Sequence, residues 1–232
     1  MRPVVVVNPP RANLSTVDKL AEYGVATVHE ALGRTGFLGP ELRPIQPEAR
    51  IGGTAVTALC WPGDNLMIHV AVEQCRPGDV LVVTTTSPST DGMFGELLAT
   101  ALRLRGVRGL IIDAGVRDTA DLRGMGFPVW SRAVSAQGTV KATAGSVNVP
   151  VVIGGQRIRP GDAILADDDG VLVVPREDVS RAVTAAQART EKEEKSRAAY
   201  KTGQLSLDYN KLRPTLESLG VKYVDYAEWS RE

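Results

Sequence analysis

Short apolar runs that end at glycine, proline or acidic residues alternate with segments of helical periodicity along most of the chain. The run Leu110, Ile111, Ile112 lies between Gly109 and Gly115 and is continuous rather than alternating, which is typical of a strand covered on both faces. Other Val- and Thr-rich segments also favour strands. The predicted strands are residues 54–61, 80–86, 110–112, 127–133, 163–166 and 171–174, with a further Thr/Val-rich stretch at 141–152.

Helical segments are predicted between these strands. Ser15 is followed by Asp18, and Thr27 by Glu30, which is the spacing of a capping box. One helix is therefore expected to begin at Ser15 and a second at Thr27, ending near Gly33. The other predicted helices are residues 65–74 with Asn65 as the cap, a helix that begins near Phe94, residues 119–125 and residues 177–201. The alternation of helices and strands predicts a mixed α/β fold.

Three Pro-Gly-Asp sequences, at 62–64, 77–79 and 160–162, predict tight turns between these elements. Proline presets the first corner of such a turn, and glycine tolerates the backbone conformation of the second. The sequence Asp-Asp-Asp-Gly at 167–170 most simply predicts a hairpin turn. It does not match a calcium loop, because the glycine is misplaced and the closing glutamate is absent.

Composition narrows the class of protein. A chain of 232 residues with 43% hydrophobic residues can bury one sizeable core, so we expect a single domain over 1–232. Lys plus Arg equals Asp plus Glu at 27 each, which argues against a nucleic-acid partner. Residues 1–9 are too short an apolar run for a signal peptide, and no stretch reaches membrane-spanning length, so a cytoplasmic protein without a membrane partner is expected. Cys60 and Cys75 lack metal-site spacing and are expected to be reduced, packed thiols.

The carboxyl-terminal part of the chain differs in character. Residues 176–202 are rich in Ala, Glu, Lys and Arg, with acidic and basic residues at i,i+4 spacing. After Ala188 the predicted helix has almost no large apolar side chain, so it either projects into solvent or lies across a neighbouring chain. Residues 203–232 carry irregularly spaced Leu, Tyr and Trp, which predicts a tail that docks on a surface.

Candidate chemistry is concentrated at Arg117 and Asp118, directly after the strand at 110–112. Ligands of α/β sheets bind outside the carboxyl ends of strands. The guanidinium of Arg117 can hold a carboxylate in two places, and Asp118 is a hard oxygen donor suited to a cation such as Mg²⁺. Two plainer interpretations remain open, a surface ion pair or an Asp118 that simply caps the helix at 119–125.

A second candidate feature is the helix start Gly95-Glu96-Leu97-Leu98, whose free backbone N–H groups could hold a carboxylate. His69 has no partner motif and is predicted to be a buried core histidine. His29 and Glu30 are predicted in the first turn of their helix, as part of a capping network or as supporting residues of a site. Nucleotide-binding, zinc-peptidase and serine-hydrolase motifs are absent from the sequence.

The sequence Arg117-Asp118 with Asp121 three positions on resembles the R-D-x-x-(E/D) signature of the class II 4-hydroxy-4-methyl-2-oxoglutarate / 4-carboxy-4-hydroxy-2-oxoadipate aldolases. These enzymes are relatives of the regulator of ribonuclease E activity A. The resemblance covers nearly the whole chain. It includes ATVHEA at 26–31, GTAVT at 53–57, PGDN at 62–65, FGELLAT at 94–100 and VKATAGSVNVPV at 140–151.

The resemblance implies a fold, an α-β-β-α layered sandwich similar to the swivelling phosphohistidine domain. It also implies an activity, the cleavage of a 4-hydroxy-2-oxo acid to release pyruvate in bacterial catabolism of protocatechuate or gallate, with oxaloacetate decarboxylation as a side activity. The implied cofactor is Mg²⁺ or Mn²⁺, bound directly by Asp118 and through water by Glu96, where several relatives carry Asp. The resemblance implies that substrate is held at Gly95, Leu97, Leu98 and Arg117.

The resemblance further implies a homo-oligomer, expected to be a hexamer, in which each site receives an acidic residue from a neighbouring subunit. The matching catalytic position is Glu193, with Glu194 next to it. Two alternatives stay open: a dedicated oxaloacetate decarboxylase, and a non-catalytic regulator of ribonuclease E. An aldolase that forms a Schiff base at a lysine such as Lys141 is a further, less favoured mechanism.

Overall fold

Strands and helices alternate through most of the chain in a computed structural model that describes residues 2–230. The helices are α1 (Leu14–Ala21), α2 (Val25–Ala31), α3 (Leu66–Gln74), α4 (Glu96–Leu104), α5 (Thr119–Gly124), α6 (Val179–Lys201), α7 (Ser206–Tyr209), α8 (Arg213–Ser218) and α9 (Tyr226–Trp229). The strands are β1 (Arg43–Pro44), β2 (Ile51–Cys60), β3 (Asp79–Thr85), β4 (Gly92–Phe94), β5 (Gly109–Val116), β6 (Val129–Val134), β7 (Ser146–Val147), β8 (Val151–Ile153), β9 (Gln156–Ile158), β10 (Ala163–Asp167) and β11 (Gly170–Val174). The predicted α/β class is confirmed.

The main sheet follows the order β1-β6-β5-β3-β2-β10-β11, with β4 beside β5 and β7 beside β2. Strands β2, β3, β5 and β6 are parallel to one another, whereas β1, β10 and β11 are antiparallel to their neighbours. Strands β8 and β9 form a separate hairpin. Because parallel strands end at the same edge, the residues that follow β3, β5 and β6 are brought close together.

Strand β5 has apolar residues on both faces, as its sequence predicts. Leu110 and Ile112 belong to a buried cluster with residues of α3, α4 and α5. Ile111 points to the other face and belongs to a second buried cluster, which includes Trp130 and residues of β8 to β11. A continuous apolar run is therefore favoured at this position, since a polar side chain on either face would be buried away from water.

A third cluster joins α1, α2 and the start of α6 to the outer face of β10 and β11. Leu20 and Val28 pack there with Leu165 and Leu172, and Ala182 of α6 is fully buried in the same cluster. The second cluster thus lies between β3, β5 and β6 on one side and β8 to β11 on the other, with helices on the outer faces of both sides. This confirms the predicted layered α/β arrangement.

The beginnings of the first two helices differ from the prediction. Asn13 is the N-cap of α1, where its side chain accepts a hydrogen bond from the N–H of Thr16. Gly24 precedes α2, whose first N–H, on Val25, donates to a carboxylate oxygen of Asp167 at 2.8 Å. His29 therefore lies in the last turn of α2 rather than the first. The capping carboxylate comes from a residue distant in sequence, which local patterns cannot show.

The predicted turns are confirmed. Gly63, Gly78 and Gly161 have φ values of 67°, 89° and 80°, which is the left-handed conformation that glycine adopts without steric cost. Strands β10 and β11 form the predicted hairpin, in which Asp167 pairs with Gly170. Both cysteines are buried, unpaired thiols, as expected.

The chain divides into two units, one ending at Gln187 and the other beginning at Ala188. The second unit contains the polar half of α6, as predicted, followed by the short helices α7 to α9. No residue between 188 and 230 is buried, although several of them are leucine, tyrosine or tryptophan. Within residues 2–230, the structure has no helix with the length and apolar character needed to cross a membrane.

Candidate active site at the end of strand β5

Arg117 and Asp118 lie where β5 turns into α5. The N–H of Arg117 donates to the carbonyl oxygen of Phe94 at 2.9 Å, which ties this turn to the end of β4. Asp118 has φ 54° and ψ 37°, a left-handed conformation that is uncommon outside glycine, asparagine and aspartate. Such a backbone is found at functional sites more often than elsewhere.

The two plainer interpretations of this pair can be compared with the geometry. Asp118 occupies the N-cap position of α5, but its side chain makes no capping hydrogen bond. The Nε atom of Arg117 lies 3.5 Å from Oδ2 of Asp118, and the two side chains are 48% and 37% exposed. A pair this open contributes little to stability, so the pair is available for binding rather than needed for the fold.

Gly95 brings the amino end of α4 against Asp118. A Cβ at position 95 would overlap Oδ2 of Asp118 and would stand 3.2 Å from Cγ of Arg117. The N–H of Glu96 donates to Oδ2 of Asp118 at 3.2 Å. The N–H groups of Leu97 and Leu98 make no hydrogen bond within residues 2–230, so they remain free for an anion.

A cavity of about 190 Å³ opens at this edge of the sheet. Its wall includes the predicted residues of α4 and of the turn after β5: Gly95, Leu97, Leu98, Arg117 and Asp118. The structure therefore brings the two candidate features of the sequence into one place. Three further elements complete the wall: the start of α3, strand β4 and the loop at 138–145. Of their residues, only Lys141 was considered for a site from the sequence, as a possible Schiff-base lysine.

His69 on α3 was predicted to be buried, and this prediction is wrong. The residue is exposed and lines the cavity together with Asn65, one helical turn earlier. Met67, Ile68 and the rest of the apolar face of α3 fill the core instead. Partial loss of hydration and the positive charge of Lys141 both lower the pKa of His69, so the ring is neutral at neutral pH. Asn65 and His69 are four residues apart along an otherwise apolar predicted helix, and this i,i+4 spacing could have indicated that both lie on the same face.

Asn65 is held in a defined orientation at the start of α3. Its Nδ2 donates to the carbonyl oxygen of Met93 at 3.0 Å, and because a carbonyl only accepts, the orientation of the amide is determined. Oδ1 of Asn65 is buried and has no donor within residues 2–230. The side chain of Asn65 does not cap α3 as predicted. The capping hydrogen bond is made by Asp64, whose Oδ1 accepts from the N–H of Leu66 at 2.9 Å.

Asp64 also holds the loop at 138–145. Its buried Oδ2 accepts hydrogen bonds from the N–H groups of Ala142 at 2.8 Å and Thr143 at 2.6 Å. Burial alone would raise the pKa of Asp64, but these bonds and the one from Leu66 outweigh it and lower that pKa. The N–H of Asn65 donates to the carbonyl oxygen of Val140 at 3.0 Å, so the loop is fixed on both sides of residue 141.

The donor set suits a hard divalent cation that takes most of its ligands from substrate and water. Within residues 2–230, no group of three His, Cys, Asp or Glu side chains forms a complete metal site. Oδ1 of Asp118 makes no hydrogen bond there, and Glu96, Asp118 and Asp121 line an adjoining open cavity. Mg²⁺ is commonly held by one or two carboxylates with several waters, so these residues fit it. Glu96 also accepts a hydrogen bond from Thr100 at 2.8 Å.

Two of the residues considered from the sequence lie elsewhere. His29 contacts the ring of Phe37, and Glu30 pairs with Arg34 at 3.0 Å; neither lines the cavity. Glu193 lies in the second unit, where its Oε1 is 2.8 Å from Nε of Arg189.

Comparisons with known proteins identify relatives of this chain. The family model described as RraA-like (Aldolase/RraA) matches residues 25–173. A Halalkalibacterium halodurans protein named "Putative 4-hydroxy-4-methyl-2-oxoglutarate aldolase" is 28% identical over 166 residues, which cover 72% of this chain and 79% of that protein. A Burkholderia multivorans protein of the same name is 38% identical over 143 residues, covering 62% of this chain and 87% of that protein.

A solved structure supports the same relationship. Streptomyces coelicolor RraAS2, described as an unusual member of the RNase ES inhibitor RraA protein family, aligns with a TM-score of 0.73 and 28% identity. The alignment covers 82% of this chain and 99% of that one. Since the family model matches well over half of the residues and includes the whole turn at Arg117 and Asp118, the chain belongs to the RraA-like (Aldolase/RraA) family.

Proposed function

We propose that this protein is a divalent-metal-dependent aldolase that cleaves a 4-hydroxy-2-oxo dicarboxylic or tricarboxylic acid and releases pyruvate. The observation that carries the proposal is the meeting of Arg117, Asp118 and the free amides of α4 in one cavity. The names of the two relatives support 4-hydroxy-4-methyl-2-oxoglutarate as a substrate, with 4-carboxy-4-hydroxy-2-oxoadipate as a close analogue. Cleavage of either compound fits a role in the catabolism of aromatic acids.

The 2-oxo acid end of the substrate is bound at the start of α4. The N–H groups of Leu97 and Leu98 receive the carboxylate, and the positive end of the helix dipole favours its charge. Arg117 holds the same end with its planar guanidinium. Gly95 has no side chain that would block the approach.

Bond cleavage then needs an acceptor for electrons and a base. Mg²⁺ or Mn²⁺, held by Asp118 and through water by Glu96, would supply Lewis acidity at the C2 carbonyl. A base removes the proton of the C4 hydroxyl, the O–H electrons form the new C4 carbonyl, and the C3–C4 electrons move toward C2. The resulting enolate oxygen lies beside Arg117, whose charge stabilises it, and a proton added at C3 completes pyruvate.

The base is a water held by Glu193 of a neighbouring subunit. The polar character of α6 beyond Ala188, and the absence of any buried residue between 188 and 230, support a role for this segment against another copy of the chain. A closed, symmetric assembly provides such a contact for every site, and a hexamer is the form proposed.

The same arrangement would decarboxylate oxaloacetate, because loss of CO₂ leaves the same pyruvate enolate beside Arg117. This side reaction is proposed as secondary to aldol cleavage. The ratio of kcat/KM for oxaloacetate to kcat/KM for the aldol substrates determines which of the two is the main activity.

The test is pyruvate release from 4-hydroxy-4-methyl-2-oxoglutarate, followed with lactate dehydrogenase and NADH. We expect activity with Mg²⁺ or Mn²⁺, loss of activity with a chelator, and recovery when the ion is returned in excess. The variant Asp118→Ala should stay inactive at every metal concentration. A wild-type protein with no turnover under any of these conditions would contradict the proposal and would favour a non-catalytic role like that of an RNase inhibitor.

A further inference from the structure

Lys141 is a cation of the cavity wall that the mechanism above does not use. It is exposed, it lines the cavity with Arg117 and His69, and within residues 2–230 it has no ion pair and no side-chain hydrogen bond. A cation with no partner at the wall of a binding cavity is available to an anionic ligand.

The backbone at Lys141 is held in place although it belongs to a loop. Ala142 and Thr143 donate to the buried carboxylate of Asp64, which is 2% exposed. On the other side, Val140 donates to the carbonyl oxygen of Gly63 at 2.9 Å and accepts from Asn65. The Cα atom of Lys141 therefore cannot move away with the loop, and only the rotamers of its side chain must be ordered on binding.

The other charged groups of the cavity already have a role. Arg117 serves the 2-oxo acid end of the substrate, and Asp118 is an anion. The lowered pKa of His69 favours its neutral form at neutral pH, in which the ring can contribute only a neutral hydrogen bond. Of the cavity residues, Lys141 is left as the cation for a second negative group of the ligand.

We propose that Lys141 binds the second carboxylate of the substrate, on the fragment that leaves when pyruvate is formed, and that Asp64 positions Lys141 for this contact. The proposal rests on the proposed function, since it names the half of that substrate which Lys141 recognises. Lys141 is thus a specificity-determining residue and Asp64 a positioning residue.

Binding of two stable probes tests the contact without any turnover. Pyruvate carries only the first carboxylate, and 2-oxoglutarate carries both; affinities are measured by calorimetry with Mg²⁺ present. For Lys141→Met we expect the Kd of 2-oxoglutarate to rise by about tenfold or more while that of pyruvate is unchanged, since a charge-assisted hydrogen bond is lost. Lys141→Arg should restore part of the difference, and Lys19→Met, on α1 away from the cavity, should match wild type. Equal affinities in wild type and Lys141→Met, or equal losses for both probes, would overturn the proposal.

Exchange of the pyruvate methyl protons in D₂O, followed by NMR, separates this proposal from the proposed function. We expect Lys141→Met to keep the exchange rate of wild type and to lose about tenfold or more in kcat/KM for aldol cleavage. If Lys141→Met loses both the exchange and the cleavage activity, Lys141 acts on the pyruvate half of the substrate, which would contradict the proposal. A wild-type protein with neither exchange nor cleavage would refute the proposed function. The affinities for pyruvate and 2-oxoglutarate would then still test whether Lys141 binds a second carboxylate.

Two further results bear on the assignment. Asp64→Asn should weaken the binding of 2-oxoglutarate but not that of pyruvate. It should also reduce the hydrogen-exchange protection of the amides of Ala142 and Thr143. Selective loss of 2-oxoglutarate affinity without lost protection would overturn the role of Asp64. Borohydride added with pyruvate should leave the mass of the protein unchanged. A covalent adduct at Lys141 would instead assign it a Schiff base and overturn the proposal.

Discussion

Gly95 lies directly against the carboxylate of Asp118, with no room between them for a methyl group on residue 95. A Cβ at residue 95 would overlap Oδ2 of Asp118, and it would stand 3.1 Å from the carboxylate carbon. The absence of a side chain lets the carboxylate reach the first N–H of α4, on Glu96. The carboxylate proposed to bind the metal and the helix start proposed to bind an anion can therefore share one cavity.

Gly95→Ala should strongly reduce aldolase activity and metal affinity while leaving the fold intact. The added methyl group displaces the Asp118 carboxylate, and displacements of about 1 Å at a reacting centre cost on the order of 100-fold in rate. Kinetics and calorimetry of Mg²⁺ binding measure the two effects. Gly124→Ala is the matched control, because a Cβ there meets no atom within 4 Å. Normal activity in Gly95→Ala would mean that Asp118 needs no such close approach.

Arg117→Lys should lower kcat by about 10²–10³, since a point charge cannot reproduce the planar grip on a carboxylate and a developing enolate. Thermal unfolding should be nearly unchanged, because the side chain is 48% exposed. Arg123→Lys, on the exposed face of α5, provides a control for the substitution itself. Turnover near that of wild type would mean that Arg117 is a surface residue without a role in catalysis.

The stabilising effect of Asp64 should depend on pH. Burial raises its pKa, but hydrogen bonds from Leu66, Ala142 and Thr143 outweigh burial and hold the pKa below its ordinary value of 3.8. A lowered pKa contributes stability that is fully present above pH 3.8 and is lost as pH falls through the lower, folded-state pKa. Urea unfolding of wild type and Asp64→Asn should thus differ at pH 6 and converge toward pH 3. A difference independent of pH would show that the charge of Asp64 is not what matters.

The two thiols should be inert in the folded protein. Burial, and then the negative charge of Asp64, raise the pKa of Cys60 to about 12; burial, and then Asp79, do the same for Cys75. At pH 8 neither is a thiolate, so a disulfide reagent such as DTNB should react only after unfolding. Fast labelling of native protein at that pH would contradict the packing described here.

Mixed subunits test the proposed contribution of Glu193. Inactive Glu193→Ala and inactive Asp118→Ala chains, unfolded and refolded together, should form some sites with both residues intact and regain part of the wild-type activity. Each variant refolded alone is the control and should stay inactive. Mixed oligomers confirmed by mass spectrometry but without activity would mean that Glu193 does not act on a neighbouring site. The same experiment with Glu194→Ala distinguishes the two adjacent glutamates.

Local patterns predicted the elements that depend on local physics. The strand at 110–112 is apolar on both faces because both faces are covered, and the three Pro-Gly-Asp turns need glycine where φ is positive. The polar helix α6 was also predicted from its composition. In contrast, the short strands β1, β4 and β9 were missed, because two or three residues carry too little periodicity to be recognised.

Errors arose where a partner distant in sequence decides the outcome. The start of α2 is capped by Asp167, and the burial of His69 was misjudged because the face of α3 that meets the core is chosen by packing. An isolated helix has no core, so its apolar residues cannot show which side a histidine will occupy.

By itself, the sequence determined the chemical types at the candidate site: an arginine and a carboxylate after a strand, and a glycine at a helix start. The tertiary structure alone decided that these features share a cavity, and that Asn65, His69 and Lys141 join them. The physical reason is that residue type and local periodicity are properties of the chain. The distance between two side chains far apart in sequence is decided by parallel strand pairing and by single buried groups such as Asp64, which fix a loop through bonds that no local pattern encodes.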